Sequence, residues 1–339
     1  MKAVMDIYPL LKPLLFGLAP ETAHHVAMKF LSLQSGFKKK DRLPPKVSSR
    51  QFAGIEFRNP VGLAAGLDKN ADYLDALGTL GFGFIEVGTV TPLAQDGNPK
   101  PRMFRLPESR AIINRLGFNN KGVEYLVKQV SKRRYAGVLG INIGKNKDTP
   151  EEKAIDDYLI CMDAVFPHAD YITANVSSPN TAGLRDLQHG KLLQDLVVTL
   201  KKRQQELAQQ HQKQVPVFIK VAPDLDDAQV AAMSDSFNSL AIDGLIATNT
   251  TLSRDAVTGQ QHAEEAGGLS GGAISELANN RLALFRENLS PDIPIIGVGG
   301  IVSANDAVQK LARGAGLVQI YSGLIYRGPG LVSDILEQL

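Results

Sequence analysis

Cysteine is almost absent. Cys161 stands alone among 339 residues, which excludes an internal disulfide framework and a four-cysteine iron–sulfur site supplied by this chain. Redox chemistry would therefore need an organic cofactor or a partner subunit. Strong charge is missing too. The net value is +2 at pH 7, which speaks against a dedicated nucleic-acid binder and predicts no nucleic-acid partner. No stretch reaches the ~20 unbroken apolar residues of a membrane span, because Lys12 and nearby prolines interrupt the best candidate. Asp6 and the lack of a small-residue cleavage site argue against a secretory signal, and no Arg-rich, acid-free transit segment leads the chain. No GxGxxG follows the first β-rich run, which weakens a dinucleotide-binding reading.

What is there describes a folded body, with 44% apolar and 21% charged residues. Its charge is uneven. Residues 1–46 carry eight Lys/Arg against three Asp/Glu, a balance of +5 that leaves −3 for the remainder. This basic appendage reads as two short helices. Pro9 and Pro20 suit first-turn positions, and Pro13 predicts a kink or a late start. Leu10, Leu11, Leu14, Leu15 and Leu18 form one apolar stripe; Ala23, Val26, Ala27, Phe30 and Leu33 form another. Two readings follow. The hairpin packs on the body, or it lies on a membrane with Lys38, Lys39, Lys40, Arg42 and Lys46 against anionic headgroups. "LPPK" reads as a linker, dividing the chain into 1–46 and 47–339.

Past residue 50, eight short apolar runs alternate with helical patterns: 61–66, 84–90, 137–144, 171–177, 215–223, 243–250, 293–300 and 316–323. Buried parallel-type strands with helical crossovers predict a (β/α)8 TIM barrel, with a doubly wound sheet as the alternative. "RQFAGIEF" reads as a hairpin closing the barrel floor. Polar residues gather at the C-terminal ends of the runs: Lys69, Thr89, Asn142, Asn175, Lys220, Thr248, Asn249, Thr250, Tyr321 and Ser322. Barrel active sites form on that face. Three glycine-bearing loops, "GGLSGG", "GVGGI" and "IYSG", follow the last three runs and suit a phosphate. Amides and a lysine around them suit a flat, heteroatom-rich ring such as FMN. A sugar phosphate stays open on the pattern alone, as does a barrel aldolase using Lys220 as a Schiff-base lysine. A non-catalytic membrane-associated module would explain residues 1–46 but not the ring of polar strand ends.

"NVSSPNTAGLR" (175–185) places two serines at a strand end. No histidine is suitably placed for a triad; His262 is the weak exception, so acyl transfer is disfavoured. Adjacent strand-end residues point in opposite directions, so one of Ser177 and Ser178 faces inward, and local pattern does not choose between them. The loop 178–190 is long enough to act as a lid.

"GLAAGLDKN", "GFGFIEVGTVTP", "NRLGFNN", "GINIGKNK", "NVSSPNTAGLR", "IKVAPD", "ATNTT", "GGLSG", "GVGGI" and "QIYSG" together resemble the dihydroorotate dehydrogenase family over nearly the whole chain. Serine rather than cysteine in the strand-four loop, with the N-terminal hairpin, resembles its quinone-dependent class 2. The resemblance implies oxidation of dihydroorotate to orotate in de novo pyrimidine synthesis, with FMN and a membrane quinone. It implies Ser178 as catalytic base, taking the C5 proton while the C6 hydride passes to flavin N5, with Thr181 or Thr250 as candidates for relaying the proton. It also implies substrate contacts from Lys69, Asn114, Arg115, Leu116, Gly117, Phe118, Asn175, Asn180, Asn249 and Thr250. FMN contacts would come from Ala65, Gly66, Lys69, Thr89, Asn142, Asn175, Lys220, Thr248, Gly271, Gly300, Tyr321 and Ser322. His24 and Arg105 would face the quinone headgroup. The expected setting is a monomer held peripherally by residues 1–46 on the cytoplasmic side of a bacterial-type cell membrane.

Overall fold

The computed structural model describes residues 8–36, 43–181, 183–188 and 190–339. The basic residues Lys38, Lys39, Lys40 and Arg42 lie outside them. Two helices come first, α1 (Tyr8–Phe16) and α2 (Pro20–Gly36). Pro13 sits inside α1, so the helix does not start late. A β-hairpin follows, β1 (Arg50–Phe52) with β2 (Ile55–Phe57).

The remaining strands in chain order are β3 (Val61–Leu63), β4 (Phe84–Val90), β5 (Met103–Leu106), β6 (Ala111–Asn114), β7 (Val138–Ile143), β8 (Tyr171–Asn175), β9 (Val217–Val221), β10 (Gly244–Ala247), β11 (Gly268–Gly271), β12 (Ile295–Val298) and β13 (Leu317–Ile320). Eight of them close a parallel barrel in the order β3-β4-β7-β8-β9-β10-β12-β13, with β13 pairing back onto β3. They are the eight apolar runs of the sequence. Each is apolar along nearly its whole length because helices cover its outer face and packed side chains fill its inner face. The doubly wound alternative is excluded by closure.

Helix signals are local and strong. Asp227–Leu240 opens on a capping box, Asp226 with Gln229. Ala304–Ala312 opens on Ser303, whose hydroxyl accepts from the Asp306 N–H. Gly190–His211 buries Leu193, Leu196, Val197, Leu200 and Leu207 at helical spacing against the barrel.

The N-terminal end of the barrel is plugged by aromatic rings. Phe52 and Phe57 of the hairpin meet Phe218 and Phe84 edge-on at 5.8 and 5.1 Å between centroids. Tyr171 stacks at a tilt on Phe218 at 5.0 Å. Glycines make the room: a Cβ on Gly62 would sit 2.2 Å from the Phe84 ring, and one on Gly140 would sit 2.1 Å from Tyr171. The expected floor hairpin is therefore present, and the opposite, C-terminal end is left open for a site.

Two segments read as loops carry structure of their own. β5, β6 and β11 form a separate antiparallel sheet beside the barrel mouth. Its strands come from the connections after β4 and β10, so neither shows a helical crossover period, and each is only four residues long. This sheet carries Asn114 and Gly271 and presents them to the open end.

Candidate active site

Two cavities meet at the open end. The first, about 990 Å³ counting its mouth, is lined by strand ends and by the three-stranded sheet. Lys69, Thr89, Asn114, Leu116, Gly117, Phe118, Asn175, Ser178, Asn180, Lys220, Thr248, Asn249 and Thr250 all line it, with Ala65, Gly66, Gly271, Gly300, Tyr321 and Ser322. Residues separated by up to 257 positions (65 to 322) thus face one space because the barrel brings all strand ends to one rim. Two of the expected residues do not line it. Arg115 turns away, bonded to Glu265 at 2.6 Å and stacked over Phe104. Asn142 lies one layer below, wholly buried.

The two serines separate cleanly. Ser177 is locked into amides: its Oγ donates to Asn175 Oδ1 at 3.1 Å and accepts from Asn249 Nδ2 at 2.9 Å. Ser178 lines the cavity, and its Oγ accepts from the Asn180 N–H at 3.2 Å. That leaves the Ser178 hydroxyl proton to point elsewhere. Thr181 and Thr250 have buried Oγ1 atoms with no hydrogen-bond partner among the described residues. The following turn is pinned by Arg185, which donates to the Ser177 and Thr250 carbonyls and pairs with Asp224 at 2.7 Å.

Electrostatics set the cations of the mouth. Desolvation, with the nearby Arg102 charge, pushes the Lys69 ammonium down to about 8, against the pull of Glu21 and Asp68. At pH 7 it is still mainly charged. Desolvation also lowers Lys220, with Glu86 opposing it. Burial raises the Tyr321 hydroxyl to about 12, so it stays protonated.

The second cavity, about 1880 Å³ with its opening, runs beneath α1 and α2. Leu11, Leu14, Leu15, Ala23, Ala27, Met28, Leu31, Leu67, Leu77 and Ile112 are among its walls. Its polar groups are few. His24 is pushed down to about 4 by burial, with further lowering from Lys69 and His25, so it is neutral at physiological pH. Arg105 stacks over Phe16 at 4.7 Å and donates to the Leu15 and Leu18 carbonyls. Tyr321 lines both cavities and stands between them.

A family model described as dihydroorotate dehydrogenase matches residues 47–339. The chain belongs to the dihydroorotate dehydrogenase family. The match is close along nearly the full length: a Saccharophagus degradans protein named dihydroorotate dehydrogenase (quinone) is 54% identical, over 98% of this chain and 99% of its own. A Polaromonas naphthalenivorans protein of the same name is 55% identical over 98% and 97%. Among solved structures, the Eimeria tenella enzyme in complex with ferulenol superposes with a TM-score of 0.85 at 35% identity, covering 95% of this chain and 93% of that one.

One polar feature beneath the cavity was not anticipated from the sequence. Glu86, Tyr171 and Gln319 form a buried polar cluster inside the barrel beneath Asn142. The signal was available: "FIEVGTV" sets an acidic residue in an otherwise uncharged, wholly buried strand, and a buried charge demands partners.

Proposed function

We propose that this chain oxidises (S)-dihydroorotate to orotate, a step of de novo pyrimidine synthesis, with FMN as cofactor and a membrane quinone as final electron acceptor. One observation carries the reading: a polar cavity and an apolar cavity share the single wall of Tyr321. Such a pair suits one reductant that is small and charged and one oxidant that is long and greasy.

The donor set fits FMN. Thr248 Oγ1 and Gln319 Oε1 are buried without hydrogen-bond partners among the described residues, and both residues line the polar cavity, as a ring with its own N–H and carbonyl edges requires. Lys220 lines the same cavity and would supply the positive charge that a reduced flavin ring needs. For the phosphate, backbone at Gly271 and Gly300 is held at positive φ, and a Cβ on Gly300 would sit 2.3 Å from Ser275 Cα. Only glycine allows that approach, which turns backbone N–H groups toward an anion. Ser270 and Ser322 hydroxyls sit 2.9 Å apart at the same place. Ala65, Gly66, Thr89, Asn175 and Tyr321 complete the proposed FMN set, and Asn142, one layer below, supports it through Thr89 and Asn175. Bound FMN supplies the acceptor for the C6 hydride and passes the electrons to quinone.

The chain's own residues do the rest. Lys69, still cationic at neutral pH, pairs with the substrate carboxylate. Asn114, Asn175, Asn180, Asn249 and Thr250 orient the ring carbonyls and N–H groups, and Leu116 to Phe118 cover it. Arg115, turned outward, serves through its backbone. Ser178 Oγ takes the C5 proton as its own hydroxyl proton passes to Thr181 or Thr250. The Asn180 N–H steadies the oxygen during that exchange.

The helical hairpin 1–46 serves as the quinone-access unit, with His24 and Arg105 at the headgroup end, and 47–339 as the catalytic barrel. Leu10 and Leu33 are exposed on α1 and α2 away from the apolar cavity, and Leu14, Val26 and Phe30 are exposed while also lining it, apolar surface suited to a bilayer. No helix among the described residues is long and apolar enough to cross a membrane, so the attachment proposed is peripheral, at the cytoplasmic face, as a monomer. The test is direct: the purified chain is yellow, releases FMN on denaturation, and bleaches anaerobically with dihydroorotate. Colourless folded protein that takes up no FMN would contradict the reading, and a borohydride-trapped adduct at Lys220 would favour the aldolase instead.

A further inference from the structure

Amides can face either way, so the site needs something to choose. Asn175 and Asn249 line the cavity, and Asn142 lies beneath them; each carries a donor and an acceptor, and rotating one by half a turn inverts what it offers its neighbours. For Asn142 the choice is made below the cavity. Glu86, on β4, is wholly buried. Asn142 Nδ2 donates to its Oε1 at 2.7 Å, while Tyr171 Oη and Gln319 Nε2 donate to its Oε2 at 2.9 and 2.7 Å. Tyr171 keeps its proton for this bond because burial first, and the Glu86 charge second, push it far above its ordinary value.

A carboxylate only accepts, so Asn142 must turn its NH2 down and its Oδ1 up. Oδ1 then accepts from Thr89 Oγ1 at 2.5 Å and from Asn175 Nδ2 at 3.3 Å. Asn175 holds its Oδ1 on the other side, where it accepts from the Ser177 N–H at 3.2 Å, from Ser177 Oγ at 3.1 Å and from Asn249 Nδ2 at 3.4 Å; a backbone donor and the Glu86 chain thus orient it in the same sense, and the Thr250 N–H orients Asn249 by donating to its Oδ1 at 2.8 Å. Every bond in this chain runs toward Glu86, from the substrate end of the cavity to the barrel interior. We propose that Glu86 is the positioning residue that sets the donor–acceptor polarity of Asn142 and, through it, of the Thr89 hydroxyl that lines the cavity, reinforcing the orientation of Asn175, and so what the cavity floor presents to flavin and substrate. The inference rests on the proposed FMN site.

The test inverts the polarity at its first link. Asn142→Asp is isosteric but puts two carboxyls face to face. With one shared proton the bond to Glu86 survives; when that proton leaves, the pair repels. Besides Glu86, the titratable groups on neighbouring strands are Tyr171 on β8 and Lys220 on β9, while β13 contributes the neutral Gln319. The shared proton is the one lost as pH rises. Binding of FMN to the apoprotein, read by quenching of flavin fluorescence, should therefore weaken roughly tenfold or more in Asn142→Asp between about pH 6 and about pH 9, and much less in wild type. Adding Glu86→Gln should restore tight binding at the higher pH, because the new amide donates to Asp where Asn once donated to Glu. If Asn142→Asp holds no flavin at any pH, the same rescue is read as thermal unfolding of the apoprotein. Affinity or stability that ignores pH in Asn142→Asp, or that Glu86→Gln fails to restore, would overturn the proposal. Wild type that binds no FMN would instead overturn the reading of the site.

Discussion

The polar mouth and the apolar vestibule are built on opposite plans. In the mouth, side chains come from rigid strand ends and are tied to one another: Thr89, Asn142, Asn175, Ser177 and Asn249 share a continuous set of hydrogen bonds. Directional chemistry needs such fixed groups. In the vestibule the walls are mostly aliphatic, and two helices form the roof. Side-chain bonds tie that roof to the barrel, those of Arg105 to the Leu15 and Leu18 carbonyls among them. Glu21 of α2 pairs with Arg102 at 3.0 Å, and Tyr8 donates to the Ile325 carbonyl at 2.5 Å. Greasy ligands need volume more than direction, so an apolar roof suffices. On the proposed function the difference would also divide the reaction, with proton and hydride leaving the substrate in the mouth and electrons leaving through the vestibule.

The largest expected effect breaks the mouth alone. Ser178→Ala should slow flavin reduction by dihydroorotate ~10²–10⁴-fold while FMN stays bound. Stopped-flow reduction at the wild-type rate would remove Ser178 from the role of base. Next, removing residues 1–46 should abolish turnover with a long-chain quinone yet leave dihydroorotate-driven flavin reduction within a few-fold. Full quinone turnover by the shortened chain would erase the division of labour.

A smaller effect loosens the tether between the regions. Burial alone would raise the Glu21 carboxyl, but the hydrogen bond and charge of Arg102 outweigh it and hold it below its usual value. The pair therefore contributes stability above the unfolded carboxylate's pKa and loses it as pH falls through the lower folded value. Glu21→Ala should cost on the order of 2 kcal/mol at pH 7, with the difference from wild type narrowing in acid. Thermal unfolding across pH measures it, and an unchanged difference at all pH would dissociate Glu21 from Arg102. Smallest is the effect at His24. Its folded value, about 4, lies below the ordinary 6.5. Stability should thus fall as pH drops from about 6.5 toward about 4 and be flat near neutrality. His24→Gln should remove its contribution, making the fall shallower than in wild type, and leave stability near pH 7.5 unchanged; a slope identical to wild type would contradict the burial of the His24 ring.

Much of this was legible because the barrel repeats one signal eight times. Each strand is a short apolar run, and each ends in polar residues on the same rim, so the architecture and most of the cavity's lining follow from pattern. Less regular features were not legible. β5, β6 and β11 are four-residue strands paired across 154 positions, Asn114 to Gly268, and no local period marks them. The choice between Ser177 and Ser178 needed Asn249, which lies 72 residues from Ser177. The outward turn of Arg115 depends on Glu265, 150 residues away. Glu86 was visible as a buried acid in "FIEVGTV", but its partners on β7, β8 and β13 appear only once the barrel is closed.

The central claim is that one ring joins the two cavities, and anaerobic absorbance of the intact protein tests it most directly. Dihydroorotate alone should bleach the flavin band, and a long-chain quinone added afterwards should restore it without oxygen. A band that dihydroorotate leaves untouched, or that bleaches and stays bleached after quinone, would contradict the account.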